Sequence, residues 1–268
     1  MLSTTRIQPA ATVVCLHSSM SHGGQWKALA TRLRDHFEVV TPNLLGYDGC
    51  GGTFDGAHRL EHEIEVLLPI IEQATDPVHL VGHSFGGAVA LRLASLLGDR
   101  VASLTVYEPV WFALLFAEDG DGDHAREVIR VRDSLLSESE IGRLRGAREF
   151  INYWADGDGW SHIPAEQHAR LASLSAKVAA EFSALMAAGP ATQEFSRLNV
   201  PVRLLCGTDT KVSARRISEL LSEIVPGVEY LRLNGLAHMA PVTHADDVNP
   251  LIVDHILANV DRGERAVA

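Results

Sequence analysis

The segment Gly82-His83-Ser84-Phe85-Gly86-Gly87 follows the apolar run Val78 to Val81 and precedes a helical pattern from Ala88 to Leu97. A serine flanked by glycines at a strand-to-helix turn sits in a tight, strained corner that lifts its Oγ above the sheet edge. Its hydroxyl is a weak nucleophile until a base takes the proton. Of the thirteen histidines, His238 has the position for that base, because it follows the last strand-like run in a loop that contains Gly235. A neutral imidazole there accepts the Ser84 proton and later donates it to a leaving group. Such a pair suits an sp² acyl carbon, attacked through a tetrahedral oxyanion, so esters, thioesters, lactones and activated amides are the matching electrophiles.

Other clusters are weaker. His58 and His62 lie one helical turn apart, but Glu61 and Glu63 point elsewhere and no further ligand accompanies them, so a solvated helix face is expected and no metal. The run Glu118-Asp119-Gly120-Asp121-Gly122-Asp123 has the alternating acids of a calcium loop. His124 stands where the turn needs Gly and Arg130 where a bidentate Glu belongs, which leaves an acidic surface loop. Cys15, Cys50 and Cys206 match no disulfide or metal spacing, and two of them fall inside apolar runs, as expected of reduced thiols.

The elements that must hold Ser84 and His238 are legible from pattern. Apolar, β-branched runs at Thr12 to His17, Glu38 to Pro42, Pro77 to Gly82, Val101 to Tyr107, Val202 to Gly207 and Glu229 to Leu233 predict strands. Most lack polar alternation, the mark of a mostly parallel sheet covered by helices on both faces. Between them, Trp26, Leu29 and Leu33, then Leu60, Ile64, Leu67, Leu68 and Ile71, then Val89, Leu93, Leu96 and Leu97 recur at helical spacing. From about Trp111 to Arg197 no strand pattern appears. There Leu171, Leu174, Val178, Phe182 and Leu185 share one helical face, and Ile141, Leu144, Phe150, Ile151 and Trp154 predict another buried stripe. The fold class is therefore α/β, with an all-helical insertion between two sheet strands.

Composition agrees. Of 268 residues, 46% are hydrophobic and 21% charged, as in globular proteins. The 23 Lys and Arg against 34 Asp and Glu leave a net charge of −11, which disfavours nucleic acid and anionic membrane surfaces as partners. No apolar run approaches the roughly 20 residues of a membrane span. Met1 to Ala11 has no apolar stretch after a basic start, so no signal peptide is read and a cytoplasmic location is expected. The oligomeric state is left open, homo-oligomer included.

On these motifs the chain resembles the α/β-hydrolase superfamily, over nearly its whole length. Leu16-His17 after the first long strand, the Gly82 to Gly86 elbow, Gly207 after the post-insertion strand and His238 before a final helix carry the likeness. More narrowly, Leu16-His17-Ser18-Ser19, Gln25-Trp26, Gly46-Tyr47, Tyr107-Glu108-Pro109 and Gly235-Leu236-Ala237-His238-Met239 look like bacterial hydrolases of mostly unassigned substrate. The resemblance implies a core of residues 1–110 and 198–268, with 111–197 as a cap, and no cofactor. It implies an oxyanion hole from the N–H of Phe85 and one of Ser19 or Ser18, the latter standing where the family usually has Gly. It also implies an acid to orient His238. Most of the family places an Asp three residues after the strand-ending Gly, which here is Thr210, with Asp209 one residue early. One branch places the acid after the strand that follows the elbow helix, which here is Glu108. Both stay open. Glu108 is preferred, since a carboxylate ending an apolar strand needs a buried partner and Pro109 should hold it extended.

Ser84, not an Asp, at the elbow argues against the epoxide-hydrolase and dehalogenase chemistries of the same fold. His17, Trp111, Trp154 and Met239, at the junction of insertion and sheet, are expected to line the pocket for a small to medium, mostly apolar small-molecule substrate. C–C bond hydrolysis and perhydrolysis use the same three groups and remain alternatives. So does a non-enzymatic small-molecule receptor on this fold.

Overall fold

The computed structural model describes residues 11–48, 50, 58–120, 122–155 and 157–260. The N-terminal reading and Asp121 of the acidic run thus lie at least partly outside the described residues. Six strands form one parallel sheet: β1 (Thr12–Leu16), β2 (Glu38–Val40), β3 (Val78–His83), β4 (Val101–Tyr107), β5 (Val202–Gly207) and β6 (Glu229–Leu233). Their order is β2-β1-β3-β4-β5-β6. The chain runs outward from β1 to β2 and returns to the other side of β1 at β3, so the switch point lies between the carboxyl ends of β1 and β3, where α/β sheets leave a crevice.

The two-residue period of the strands builds two cores. Val14 and Leu16 face one way with Leu80, Leu104 and Leu204, while Val13 and Cys15 face the other with Val81, Tyr107 and Leu205. On the second face pack α1 (Lys27–Leu33), through Leu29 and Leu33, and the C-terminal α12 (Ala245–Leu257), through Val248, Ile252 and Ile256. On the first face lie α2 (Leu60–Glu72), α3 (Phe85–Leu97) and α10 (Val212–Ile224). Each fully buried aliphatic side chain contributes about 1.5–3 kcal/mol. The inner strands β1, β3, β4 and β5 are buried throughout, whereas edge strands β2 and β6 are partly exposed.

Between β4 and β5 the described residues hold only helices: α4 (Ala113–Asp119), α5 (Asp123–Ser134), α6 (Glu140–Trp154), α7 (Ala165–Ser173), α8 (Ser175–Ala187) and α9 (Thr192–Phe195). A short α11 (Ala240–Thr243) precedes α12. Two expectations for this region change. The stripe from Leu171 to Leu185 spans two helices that break at Leu174. On α6, Ile141 is 84% exposed and Leu144 is also exposed, while Gly142, Gly146 and Ala147 are buried. The close approach of α5 decides this, because a Cβ on Gly146 would lie 2.2 Å from the Ser134 carbonyl oxygen.

Cys15 and Cys206 are buried, Cys50 is half-buried, and all three are free thiols. No helix among the described residues is long and apolar enough to cross a membrane.

Candidate active site

Ser84 follows β3 with φ 56° and ψ −119°, a conformation that L side chains rarely adopt. Its surroundings enforce it: the Ser84 N–H donates to the Tyr107 carbonyl (3.0 Å), and its own carbonyl accepts from Ala88 (3.0 Å) in the first turn of α3. The glycines permit the corner. A Cβ on Gly82 would lie 2.5 Å from the Gly86 oxygen, and one on Gly86 would lie 2.4 Å from the carbonyl oxygens of both Leu16 and His17.

The imidazole of His238, buried in the loop between β6 and α11, reaches this corner. Its Nε2 accepts the Ser84 hydroxyl at 2.9 Å and its Nδ1–H donates to Glu108 Oε2 at 2.6 Å. Glu108 has no exposure, and three donors surround its carboxylate. Besides His238, the Gly207 N–H donates to Oε1 (2.8 Å) and the Thr210 hydroxyl to Oε2 (2.6 Å), which offsets the cost of burying the charge. The other carboxylate goes elsewhere. Asp209 is exposed and accepts from the Thr208 hydroxyl at 2.9 Å, because its N–H is tied to the Leu236 carbonyl and the loop turns its side chain outward. Thr210, at the position where most of the family has Asp, serves as a donor to Glu108. Glu108 is not extended as Pro109 led us to expect. Its φ is 42°, held by the Glu108 N–H to Leu205 carbonyl bond (2.9 Å) and by the three bonds to its carboxylate.

A second layer sets the loop that carries His238. Gln25 Oε1 accepts from both the N–H and the hydroxyl of Ser18 (3.1 Å each), so its amide NH₂ faces His83 Nδ1 at 3.1 Å. That assigns the His83 proton to Nε2, which donates to the His238 carbonyl at 2.8 Å. Burial, then the neighbouring His238, holds His83 well below its ordinary pKa and keeps this tautomer neutral. The Tyr107 hydroxyl donates to the adjacent Ala237 carbonyl at 2.8 Å. Sequence reasoning singled out neither Gln25 nor His83 for this task; the signal was their place beside the Leu16 to Ser19 and elbow motifs.

The loop after β1 packs closely on the elbow, with the Leu16 and His17 carbonyls against Gly86. The Phe85 N–H opens α3 and therefore has no acceptor within its helix. The Ser18 N–H is taken by Gln25 at 3.1 Å and the Met20 N–H by the Tyr47 hydroxyl at 3.2 Å. His17 was expected to meet substrate, but both ring nitrogens are engaged: Nδ1–H with the Ser18 carbonyl (2.8 Å) and Nε2 with the Leu44 N–H (3.0 Å). Burial lowers its pKa to about 4, so it braces the loop as a neutral ring.

The remaining expected pocket residues divide. Trp154, the last residue of α6, stacks on His238 with centroids 4.0 Å apart. Behind it Phe150, Phe182 and Phe112 form a continuous aromatic row. Trp111 instead ties the two ends of the insertion together: its Nε1–H donates to the Gly189 carbonyl (2.8 Å) and its ring meets Phe195 edge-on. It is 1% exposed. Met239 is half-buried beside His238.

The expectation of a solvated face at His58 and His62 is also overturned. His58 and Glu63 are buried with Lys177 of α8. Lys177 Nζ lies 2.5 Å from Glu63 Oε1 and 3.1 Å from His58 Nε2. Burial opposes the Glu63 charge, but the bonds from His58 and Lys177 outweigh it and hold its pKa below the ordinary value. Helical periodicity did not reveal this cluster, since its cation comes from an element more than one hundred residues away. Among the described residues no group of three or more His, Cys, Asp or Glu could hold a metal ion.

At the carboxyl edge of a doubly covered parallel sheet, a serine at a strained elbow, a histidine after the last strand and a buried acid form one hydrogen-bonded chain. Residues 13–251 match the alpha/beta hydrolase family, and the chain belongs to it. A relative named as a carbamate hydrolase, RutD, from Yersinia enterocolitica is 24% identical over 95% of this chain and 90% of its own. A pimeloyl-acyl-carrier-protein methyl ester esterase from Methylococcus capsulatus is 26% identical over 92% of this chain and 95% of its own. Among solved structures, an esterase from Exiguobacterium antarcticum superposes with a TM-score of 0.74 at 17% identity, covering 93% of each chain.

Proposed function

We propose that this hydrolase cleaves a small to medium, mostly apolar carboxylic ester, with thioesters and lactones as chemically equivalent substrates, through an acyl-enzyme on Ser84. The observation that carries the reading is the unbroken chain from Ser84 Oγ through both nitrogens of His238 to Glu108. His238 Nε2 takes the Ser84 proton as Oγ attacks the acyl carbon. Glu108 holds the ring in that tautomer and stabilises the imidazolium. The N–H groups of Phe85 and Ser19 receive the developing oxyanion. Collapse expels the alcohol, protonated by His238. Water then repeats the sequence on the acyl-enzyme and frees Ser84.

In this reading residues 111–197 cap a core of 1–110 and 198–268, and the aromatic row ending at Trp154 supplies the apolar wall over the acyl group. The relatives named esterase support an ester, and those named carbamate hydrolase make a carbamate the first competitor to test.

The test is labelling with a fluorophosphonate, followed by peptide mass spectrometry, with turnover on p-nitrophenyl esters from acetate to laurate and on a p-nitrophenyl carbamate. Label on Ser84, an ester rate above the carbamate rate, and loss of both label and turnover in Ser84→Ala are expected. Label elsewhere, or turnover surviving Ser84→Ala, overturns the nucleophile. A carbamate rate above every ester overturns the substrate class, and tight ligand binding with negligible turnover would mark a receptor.

A further inference from the structure

The loop after β1 is held from the inserted helices by one carboxylate. Glu181 of α8 has no exposure, and both of its oxygens are tied to that loop, one directly and one through Tyr47. The Ser19 hydroxyl donates to Oε2 at 2.5 Å. The Tyr47 hydroxyl donates to Oε1 at 2.8 Å and itself accepts the Met20 N–H at 3.2 Å. Two consecutive residues of this loop are thus fixed on Glu181, one directly and one through Tyr47. The restraint has physical work to do, because Met20 sits at φ 56° without being glycine, and such a backbone persists only where its surroundings over-determine it.

The charge is arranged to suit that place. A lone buried carboxylate near a developing oxyanion would repel it. Lys177, one helical turn before Glu181, lies 3.3 Å from Glu181 Oε1 and also binds Glu63, with its Nζ 5.2 Å from the centroid of the Phe85 ring. The cation therefore stands between the two carboxylates and beside the residue that follows Ser84. Burial raises the Glu181 pKa, partly opposed by Lys177 and by the bond from Ser19.

We propose that Glu181 is a positioning residue for the oxyanion hole: through Ser19 and Tyr47 it holds the Ser19 N–H against the acyl oxygen, so that the inserted helix α8 sets transition-state stabilisation and not only substrate fit. This rests on the acyl-enzyme reading above, with Ser19 and Phe85 as donors. A donor displaced by a fraction of an ångström loses most in the transition state, where the oxyanion contact is shortest, and little in the ground state.

The test combines p-nitrophenyl acetate kinetics with the affinity of a phenylboronic acid, which forms a tetrahedral adduct on Ser84 and places an oxygen in the hole, and with melting temperature. Glu181→Ala is expected to lower kcat by roughly 10–100-fold, with KM changed less than about threefold, and to weaken the boronic acid in proportion to kcat. Ser19→Ala, which keeps the N–H but releases it from Glu181, should lose a similar factor. The Glu181→Ala/Ser19→Ala double variant should lose no more than the worse single one. Glu181→Gln, which keeps one acceptor oxygen, should recover part of the loss.

Should Glu181→Ala fail to fold, Ser19→Ala and Tyr47→Phe carry the test, each removing one hydroxyl. Wild-type kcat and boronic acid affinity in folded variants, additive losses in the double variant, or a kcat loss that follows melting temperature and not boronic acid affinity would each overturn the inference. Failure of the acyl-enzyme reading has a different signature: boronic acid affinity and turnover that survive Ser84→Ala.

Discussion

The indole of Trp154 lies nearly parallel to the imidazole of His238, centroids 4.0 Å and planes 29° apart, and so closes one face of the ring whose Nε2 accepts the Ser84 hydroxyl. An aromatic face stabilises a cation by about 0.5–2 kcal/mol. In the proposed mechanism His238 becomes that cation.

Trp154 should therefore affect chemistry as well as acyl preference. Trp154→Ala is expected to lower kcat roughly tenfold on acetate esters, and Trp154→Phe less, with long acyl esters changing most in KM. Trp111 should behave differently, because its partners are Gly189 and Phe195. Trp111→Ala should destabilise by about 3–5 kcal/mol in denaturant unfolding, with relative rates across acyl lengths unchanged. An acyl-length shift in Trp111→Ala with normal stability would place it in the pocket after all.

The two carboxylates make a matched pair. Glu108→Gln keeps the size of a side chain that meets His238 Nδ1 at 2.6 Å but removes its charge, and kcat should fall by about 10²–10⁴-fold with the melting transition intact. Asp209→Asn alters an exposed group bonded to Thr208, and less than a tenfold change is expected. The reverse order would show that the loop after β5 presents Asp209 to His238 in solution.

Glycines at the elbow and away from it should separate contact from conformation. A Cβ on Gly82 would meet the backbone of Gly86 and Gly87 at 2.5 and 2.6 Å, whereas one on Gly98 would meet nothing within 4 Å but would sit at φ 53°. Gly98→Ala should cost about 1–3 kcal/mol, the strain of a positive-φ backbone that L side chains rarely adopt. Gly82→Ala should cost more and also abolish Ser84 labelling. Equal costs, with labelling intact, would show that the elbow can relax around a methyl group.

Buried histidines set an acid-side dependence of stability. Burial lowers His17, His79 and His255 to about 4 and holds His83 well below its usual value. Unfolded histidines titrate near 6.5, so between about pH 6.5 and 4 the unfolded chain binds protons that the native protein refuses, and stability falls as pH falls. Above about pH 6.5 these groups contribute no slope. Urea midpoints should drop from pH 7 to pH 5 with an unchanged m-value, and the drop should shrink in His79→Gln. A flat midpoint over that interval would mean that these rings charge freely in the folded state.

The sequence by itself determined the elements, because what specifies them is local. Apolar β-branched runs placed all six strands, helical spacing placed α2 and α3, and Gly82 and Gly86 beside Ser84 satisfy a steric demand of one turn. The order of serine before histidine, each after a strand of one parallel sheet, brought both toward the same sheet edge. Tertiary structure decided what depends on side chains meeting across the chain. Glu108 and not Asp209 meets His238, 130 residues away, because Gly207 and Thr210 furnish donors at the end of β4 while the Asp209 side chain turns to solvent. Spacing put His58 and His62 on a solvated helix face; Lys177, 114 residues beyond Glu63, is buried with His58 and Glu63 instead. Ser19 and Glu181 are 162 residues apart, and no spacing rule connects them. Such pairings arise from how sheet loops meet one another and how the insertion packs on the sheet, relations that no one-dimensional pattern of hydrophobicity encodes.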